Sequence, residues 1–190
     1  MITINAAKIY GPKGIALLYK RRNIPLLPIV FGGGQEQGLR AGTENVPLII
    51  GFATALTETV ALKEFESSRL LIIRDVLIKK LQEEILGIII NGSVNERLPN
   101  NINFSLPDVD HEFLALALDA RGFAVSTKSA CNEMDADISH VLFALKESGE
   151  KDRLVSGIRV TMGRSTTQEE VEVFVQVLKE ILATMFIKFL

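Results

Sequence analysis

The sequence predicts an α/β protein made of two units, in which a glycine-rich α/β segment precedes an α+β domain. Three observations predict this class. The first 45 residues alternate glycine and proline turns with short apolar runs, and residues 47–86 carry a helical pattern. The rest of the chain alternates short strand patterns with amphipathic helix patterns. We expect the first unit to span residues 1–62 and the second to span residues 63–190.

The elements of the first unit are short and separated by turns. Residues 2–4 read as a strand that leads into a Gly-Pro turn at 11–12. Residues 15–19 are consecutively apolar, which predicts a buried strand. A glycine-rich loop follows, and we expect a helix to begin near Pro47, because proline is tolerated in a first helical turn.

The second unit begins inside this helical pattern. Apolar residues recur there every three or four positions and predict one buried face: Leu70, Ile73, Leu77, Leu81 and Ile85. Residues 88–90 and 101–106 read as strands. Asp110 is suited to cap a helix that ends near Gly122. The predicted core face of that helix consists of Phe113, Leu114, Ala117 and Leu118.

The last third of the chain holds the remaining elements. We expect a short strand at 123–125, a short helix that begins at Ser139, and a half-buried strand at 157–162. Thr166 and Glu169 predict a capping box for a final helix. The side chains that this helix is expected to bury are Val171, Phe174, Val177, Leu178, Ile181 and Met185.

Composition excludes several classes of protein. The chain is 47% hydrophobic and 23% charged, which is typical of a soluble globular protein and not of a disordered one. A single cysteine allows no internal disulfide, two histidines allow no Cys/His metal cluster, and we expect a cytoplasmic protein without a metal. A net charge of -2 has the wrong sign for nucleic-acid binding. The longest apolar run, residues 46–56, is short for a membrane span.

Two residues are candidates for covalent chemistry. A lone cysteine is usually an inert core thiol, but Cys131 lies in a polar stretch near Lys128, where a thiolate nucleophile is plausible. Lys8 follows a strand and precedes a Gly-Pro turn. An exposed lysine is usually a solvated charge, although one at a strand end can condense with a carbonyl cofactor.

Two further features are candidates for binding anions. The loop at residues 32–43 combines glycines with Arg40 and Thr43 just before a helix, so backbone N–H groups and these side chains could hold a phosphate. A flexible surface loop is the alternative. Arg159 interrupts an apolar strand, either on its solvated face or in a cleft where it grips a carboxylate.

Four motifs, taken in order, give a more specific indication. They are Lys-Ile-Tyr-Gly-Pro-Lys-Gly at 8–14, the glycine-rich stretch at 32–47, Ser-Ala-Cys at 129–131 with Ser-His-Val-Leu at 139–142, and Ile-Arg-Val-Thr-Met-Gly-Arg-Ser-Thr-Thr at 158–167. In order and spacing they resemble the C-terminal half of cysteine desulfurases, which are pyridoxal-phosphate enzymes of the class V aminotransferase group. The resemblance implies the C-terminal part of a fold type I transferase: a remnant of the large α/β domain followed by a complete small α+β domain.

The resemblance also implies roles. Lys8 would form the Schiff base with pyridoxal phosphate, and Thr43 would contact the cofactor phosphate across a homodimer interface. Arg159 would hold the carboxylate of L-cysteine, and Cys131 would take its sulfur as a persulfide, leaving L-alanine. The sulfur would pass to an iron-sulfur scaffold or a tRNA-thiolation protein.

The sequence differs from the family pattern in three places. After the cysteine, where the family commonly has serine and glycine, residues 132–135 are Asn-Glu-Met-Asp. Ala7 stands where a histidine usually precedes the cofactor lysine, and Phe31 stands where a histidine usually precedes the triple glycine. The family's N-terminal half supplies much of the cofactor pocket, so we expect the isolated chain to bind pyridoxal phosphate poorly. Two alternatives stay open: an inactive remnant that serves as a dimerisation or scaffold-docking module, and a selenocysteine lyase or other class V enzyme.

Overall fold

A computed structural model describes residues 1–127, 139–147 and 156–187 of the chain. The chain divides into two compact units, Met1–Glu64 and Phe65–Leu190. We describe each unit by itself.

The first unit opens with a two-stranded antiparallel ribbon. Strand β1 (Ile2–Asn5) pairs with β2 (Ala16–Tyr19), with Ile2 opposite Tyr19. A single 3-10 turn, Ala6–Ile9, follows β1. Both strand predictions are confirmed, but the expected burial of the second is wrong, since Leu18 is 48% exposed and Tyr19 is 55% exposed. A continuous apolar run is typical of a strand covered on both faces, whereas β2 lies in a ribbon of only two strands.

Helix α1 (Val46–Glu84) begins in the first unit and ends in the second. Its predicted start is confirmed, with Pro47 in the first turn. Within the described ranges it is the one helix long and apolar enough to cross a membrane by length and composition alone. The core helix of a soluble protein can pass the same test, so this finding does not by itself indicate a membrane protein.

The second unit is built on a three-stranded antiparallel sheet. Its strands are β3 (Ile89–Ile90), β4 (Asn101–Ser105) and β5 (Ile158–Thr161), with β4 in the centre. The helices of this unit, besides the end of α1, are α2 (His111–Asp119), α3 (His140–Glu147) and α4 (Gln168–Ile187). The sheet, the end of α1, α2 and α4 share one apolar core, whose most deeply buried members include Leu77, Leu81, Ile102, Phe104, Leu114, Leu118, Ile158 and Leu178.

Helix α2 is capped at its start as predicted, but fewer of its residues face the core than expected. Asp110 Oδ1 accepts hydrogen bonds from the N–H groups of Glu112 and Phe113, which confirms the cap. Leu114 and Leu118 are fully buried, whereas Phe113 is half exposed and its prediction as a core residue is wrong. The buried pair lies four residues apart on one side of this short helix, and Phe113 lies about 100° around the axis from Leu114.

Two local predictions near the end of the chain are wrong in detail. Residues 123–125 form no strand; the pairing there is a single bridge between Ser126 and Arg159. The capping box of α4 lies one residue later than expected. Thr167 Oγ1 accepts from the Glu170 N–H, and Glu170 Oε2 accepts from the Thr167 N–H. Thr166 instead turns its hydroxyl to the N–H of Gly163.

Candidate active site

Lys8 lies on the 3-10 turn that follows β1. Asn5 caps this turn, because its Oδ1 accepts a hydrogen bond from the Ala7 N–H at 3.0 Å. Ala6 is completely buried, while the side chain of Lys8 is exposed. No hydrogen bond or ion pair joins the Lys8 amine to another residue in the described part of the chain. The turn therefore presents a primary amine to its surroundings.

The turn that carries Lys8 is packed tightly onto α1. The Gly11 N–H donates to the Ala6 carbonyl at 2.8 Å. A Cβ on Gly11 would come within 3.0 Å of that carbonyl oxygen and within 3.1 Å of the Ala55 Cβ, so only glycine allows this approach. The Thr59 hydroxyl donates to the Ile9 carbonyl at 3.4 Å. These contacts place the Lys8 backbone on a rigid element, as covalent chemistry requires.

The glycine-rich loop that precedes α1 folds back on itself. Gln35 Oε1 accepts from the Gly42 N–H at 3.2 Å, and the backbone at Glu36 and Gln37 has positive φ angles. The Arg40 guanidinium donates to the carbonyl of Ala41 at 2.7 Å, which binds this side chain to its own loop. Thr43, three residues before α1, keeps an exposed hydroxyl.

Some of the backbone N–H groups at the start of α1 already have partners within the chain. Asn45 Oδ1 accepts from the Leu48 N–H at 3.3 Å, and the Val46 N–H donates to the Glu44 carbonyl at 3.0 Å. Pro47 has no N–H group. The role of this loop in holding a phosphate stays a prediction. The Thr43 hydroxyl is a candidate at this position.

In the second unit, Arg159 borders a cavity of about 290 Å³. Its lining comprises Asn91, Arg97, Asn101, Asn103, Thr127, Ser139, Val141, Leu142, Leu145 and Arg159. Two of these residues are arginines and none is acidic, so the described wall of the cavity favours an anion such as a carboxylate. Arg159 is half-buried on β5 opposite Asn103 of β4.

Amide groups form the rear wall of this cavity. Asn91 is 2% exposed, and its Nδ2 donates to Asn103 Oδ1 and Ser105 Oγ, both at 2.7 Å. The Arg97 guanidinium donates to the Asn91 carbonyl and to the Ser93 carbonyl. Asn91, Arg97 and Asn103 are not among the candidates that the sequence indicates. The sequence signal that could have indicated the asparagines is the series of polar residues at alternate positions of the predicted strand 101–106, together with the Asn-Gly turn at 91–92.

Cys131 lies outside the described residues. The described residues on either side of its segment are Thr127 and Ser139, and both line the Arg159 cavity. Lys8 and Thr43 belong to the first unit, and Arg159 belongs to the second. The structure therefore describes an amine site on one unit and a cationic cavity, at the base of the cysteine segment, on the other.

Residues 1–174 match the family described as Aminotransferase class-V. The chain belongs to this family. Class V aminotransferases are enzymes that depend on pyridoxal phosphate. The match confirms the family that the four motifs indicated, and it covers nearly all of the described residues.

Two relatives within the class V aminotransferase family are both named cysteine desulfurase. The chain is 41% identical over 96% of its length to a cysteine desulfurase IscS of Dictyoglomus turgidum, and 41% identical over 94% to IscS 1 of Archaeoglobus fulgidus. Among solved structures, a NifS-like protein superposes with a TM-score of 0.82 at 33% identity. The chain spans 46% of the length of each of these proteins.

Proposed function

We propose that this chain is the part of a cysteine desulfurase that carries the cofactor lysine, the substrate arginine and the sulfur-accepting cysteine. The reaction would convert L-cysteine to L-alanine and leave a persulfide on Cys131. The observation that carries this proposal is the Arg159 cavity, whose described lining holds two arginines and no acidic residue and includes both described residues that flank the Cys131 segment. The agreement in name among the relatives supports it.

The residues of the first unit fit pyridoxal phosphate by their chemistry. Lys8 offers an exposed primary amine on a rigid turn, and Thr43 offers an exposed hydroxyl suited to a phosphate oxygen. When bound, the cofactor supplies an electron sink for the substrate's α-carbon. Lys8 would hold the cofactor covalently and, once released from it, would carry the proton of the α-carbon.

Arg159 and Cys131 act on the substrate in this proposal. The Arg159 guanidinium would pair with the substrate carboxylate and fix the direction of its side chain. The Cys131 thiolate would attack the substrate sulfur, so that a sulfur–sulfur bond forms while the carbon–sulfur bond breaks. The electron pair of the broken bond stays with the carbon, which takes up a proton to give L-alanine. The exchange is balanced and needs no external oxidant.

The finer assignments belong to the same proposal. The first unit would be the end of the large cofactor-binding domain, and the second the small domain. The protein would be a cytoplasmic homodimer in which Thr43 serves the partner's cofactor. Its product sulfur would go to an iron-sulfur scaffold or a tRNA-thiolation protein.

The direct test adds back the half that the relatives possess. The chain is co-expressed with the N-terminal half of the Dictyoglomus turgidum relative, and the complex is incubated with pyridoxal phosphate and L-cysteine. We expect L-alanine release, and mass spectrometry should find one extra sulfur on Cys131. Borohydride should fix a pyridoxal adduct on Lys8. Active complex without a persulfide on Cys131 would overturn the assignment of the nucleophile.

Matched variants separate specific roles from general damage. Lys8→Arg keeps the charge but cannot hold the cofactor covalently, and Lys13→Arg makes the same change five residues later. Arg159→Lys removes bidentate recognition, and Arg121→Lys is its control at an exposed position just after α2. We expect both controls to keep activity and both site variants to lose at least about tenfold, which corresponds to about 1.4 kcal/mol of transition-state stabilisation. Release of alanine from selenocysteine but not from cysteine would favour a selenocysteine lyase.

A second candidate function, a non-catalytic docking module, rests on exposed apolar residues in the first unit. Leu17, Leu18 and Tyr19 on β2 and Ile50 on α1 are each at least 40% exposed. Such residues usually mark a surface that another polypeptide covers. Size-exclusion chromatography with and without the N-terminal half distinguishes the two functions. A stable complex that binds no pyridoxal phosphate would favour the docking module.

A further inference from the structure

His111, at the start of α2, is a buried titratable group that the proposed reaction does not use. It is 5% exposed. The Leu106 N–H, at the end of β4, donates to its Nε2 at 3.0 Å. Its Nδ1 lies 3.0 Å from the hydroxyl oxygen of Ser156. Both ring nitrogens therefore have a polar partner inside the protein.

These two contacts determine the protonation state of the ring. A backbone N–H can only donate, so Nε2 must act as an acceptor and carries no proton. In the neutral ring the proton then lies on Nδ1, which donates to Ser156 Oγ. A second proton would have to bind at Nε2, where it would face the Leu106 N–H. Protonation of the ring is thus incompatible with this hydrogen bond.

A chain of hydrogen bonds leads from His111 to the Arg159 cavity. The Ser105 hydroxyl donates to the Ser156 carbonyl at 2.6 Å and accepts from Asn91 Nδ2 at 2.7 Å. Asn91 also donates to Asn103, which lies opposite Arg159 in the sheet. Every link is a buried or half-buried polar contact, and hydrogen-bonded networks of this kind hold their members in one arrangement.

Ser156 is the member of this network nearest to Arg159 in the chain. Gly157, which lies between Ser156 and β5, packs so closely on β4 that an added Cβ would lie 2.6 Å from the Phe104 carbonyl oxygen. The position of β5 therefore depends on the contacts made just before it. His111 and Ser105 supply two of these contacts, one to the Ser156 side chain and one to its backbone.

We propose that neutral His111 is a positioning residue that holds Leu106, just after β4, and Ser156, just before β5, and that its protonation, which breaks the Leu106 contact beside Ser105, loosens the amide wall of the Arg159 cavity. The effect of this loosening on a bound substrate carboxylate rests on the proposed function. The loosening itself does not, because it consists of changes in contacts within the second unit.

The surroundings of the ring favour the neutral form. Burial lowers the pKa of His111 below its ordinary value of 6.5, and the negative charge of Asp110 opposes this to a smaller extent. From β4 the ring faces a backbone N–H, and from the segment before β5 it faces a hydroxyl; neither group titrates near neutral pH. Among the described groups, Asp110 is the charged one whose field reaches the ring. The network is therefore complete at neutral pH and opens on acidification.

Nuclear magnetic resonance of the chain alone tests this proposal without cofactor or substrate. The chain has two histidines, so ¹⁵N spectra of the wild type and of His140→Gln assign the His111 ring directly. At neutral pH we expect His111 with its proton on Nδ1. During acid titration, the side-chain amide signals of Asn91 and Asn103 should shift with the same midpoint as the His111 ring, below pH 6.5.

Two variants make the outcome decisive. His111→Gln can accept from Leu106 and donate to Ser156, so it should keep the neutral spectrum and abolish the shift of the two asparagine amides. His111→Phe fills the space without hydrogen bonds and should show the opened state at every pH. A proton on Nε2, or asparagine shifts that persist in His111→Gln, would overturn the proposal. If His111→Gln does not fold, the wild-type tautomer and the coincidence of the midpoints still decide it.

Discussion

Arg159 and Ser126 exchange both of their backbone hydrogen bonds: the Arg159 N–H donates to the Ser126 carbonyl at 2.7 Å, and the Ser126 N–H donates to the Arg159 carbonyl at 3.2 Å. The backbone N–H and carbonyl of Arg159 thus point toward Ser126 and away from Asn103, its partner on β4. Arg159 and Asn103 therefore form a non-hydrogen-bonded pair, the type in which the two side chains lie closer together. One residue beyond Ser126 is Thr127, which lines the cavity. The bridge thus joins β5, which carries Arg159, to the residue that precedes Thr127.

Removing the N–H of Ser126 should weaken this bridge. Ser126→Pro leaves the Arg159 carbonyl without its donor, and we expect the free energy of unfolding to fall by about 1–3 kcal/mol. Urea denaturation measures this change. Ser126→Ala keeps the N–H and is the control for loss of the side chain. Equal stability of the proline and alanine variants would show that the bridge contributes nothing.

Gly157 should not tolerate a side chain. A Cβ at this position would lie 2.6 Å from the Phe104 carbonyl oxygen and 2.7 Å from Ser105 Oγ, both too close for any real contact. Gly157→Ala should therefore displace β5 from β4 and cost about 1–3 kcal/mol. Gly34→Ala is the matched control, because nothing lies within 4 Å of its added Cβ and its φ is negative. A thermal melting temperature equal for the two variants would contradict the packing described here.

The elements that the sequence predicts well are those that depend on local pattern. The buried face of α1 from Leu70 to Leu81, continued by Ile85 just after the helix, follows from helical spacing alone. The Asp110 cap follows from one side chain and its position. The capping box of α4 was predicted one residue early because residues 166–167 are both threonine and residues 169–170 are both glutamate. Either pair has the required spacing, and the turn at Gly163 decides between them by using Thr166.

What the sequence could not predict depends on residues far apart in the chain. Exposure of Leu18 is determined by what covers β2 and not by its own run of apolar neighbours. Asn91 and Asn103 meet across a sheet, and no motif joins them. Lys8, Thr43 and Arg159 are weak candidates as single residues, because each has an ordinary structural explanation; specific roles for them are implied only by the fixed order of the four motifs.

The cap of α4 provides a test at single-residue resolution. Thr167→Ala removes the acceptor for the Glu170 N–H and should lower the free energy of unfolding by about 1 kcal/mol. Gln176→Ala, on the exposed middle of the same helix, should change it by less than about 0.5 kcal/mol. Chemical denaturation of both variants gives the comparison. A loss for Thr167→Ala no greater than for Gln176→Ala would argue against the cap.

Stability should fall as the pH drops below neutral. The folded state lowers the pKa of His111, chiefly through burial, so between that lowered pKa and 6.5 the unfolded chain binds more protons than the folded chain. The contribution is complete above pH 6.5 and is lost on acidification through this interval. Glu84, whose pKa a hydrogen bond from Lys179 lowers from 4.5, acts only at lower pH. The urea midpoint should thus vary less with pH in His111→Gln than in the wild type, and an identical slope would contradict this linkage.

The packing of Gly11 against α1 should determine how well Lys8 is presented. In Gly11→Ala the new methyl group would lie 3.0 Å from the Ala6 carbonyl oxygen and 3.1 Å from the Ala55 Cβ. Because neither backbone nor a methyl group on a helix can move far, the turn itself must shift and carry Lys8 with it. In the complemented complex we expect the yield of borohydride-fixed pyridoxal on Lys8 to fall at least about tenfold, a loss of about 1.4 kcal/mol in binding. Thr59→Ala, which removes one long hydrogen bond to Ile9, should lower the yield less. An unchanged yield in Gly11→Ala would mean that the turn reaches the cofactor without this packing.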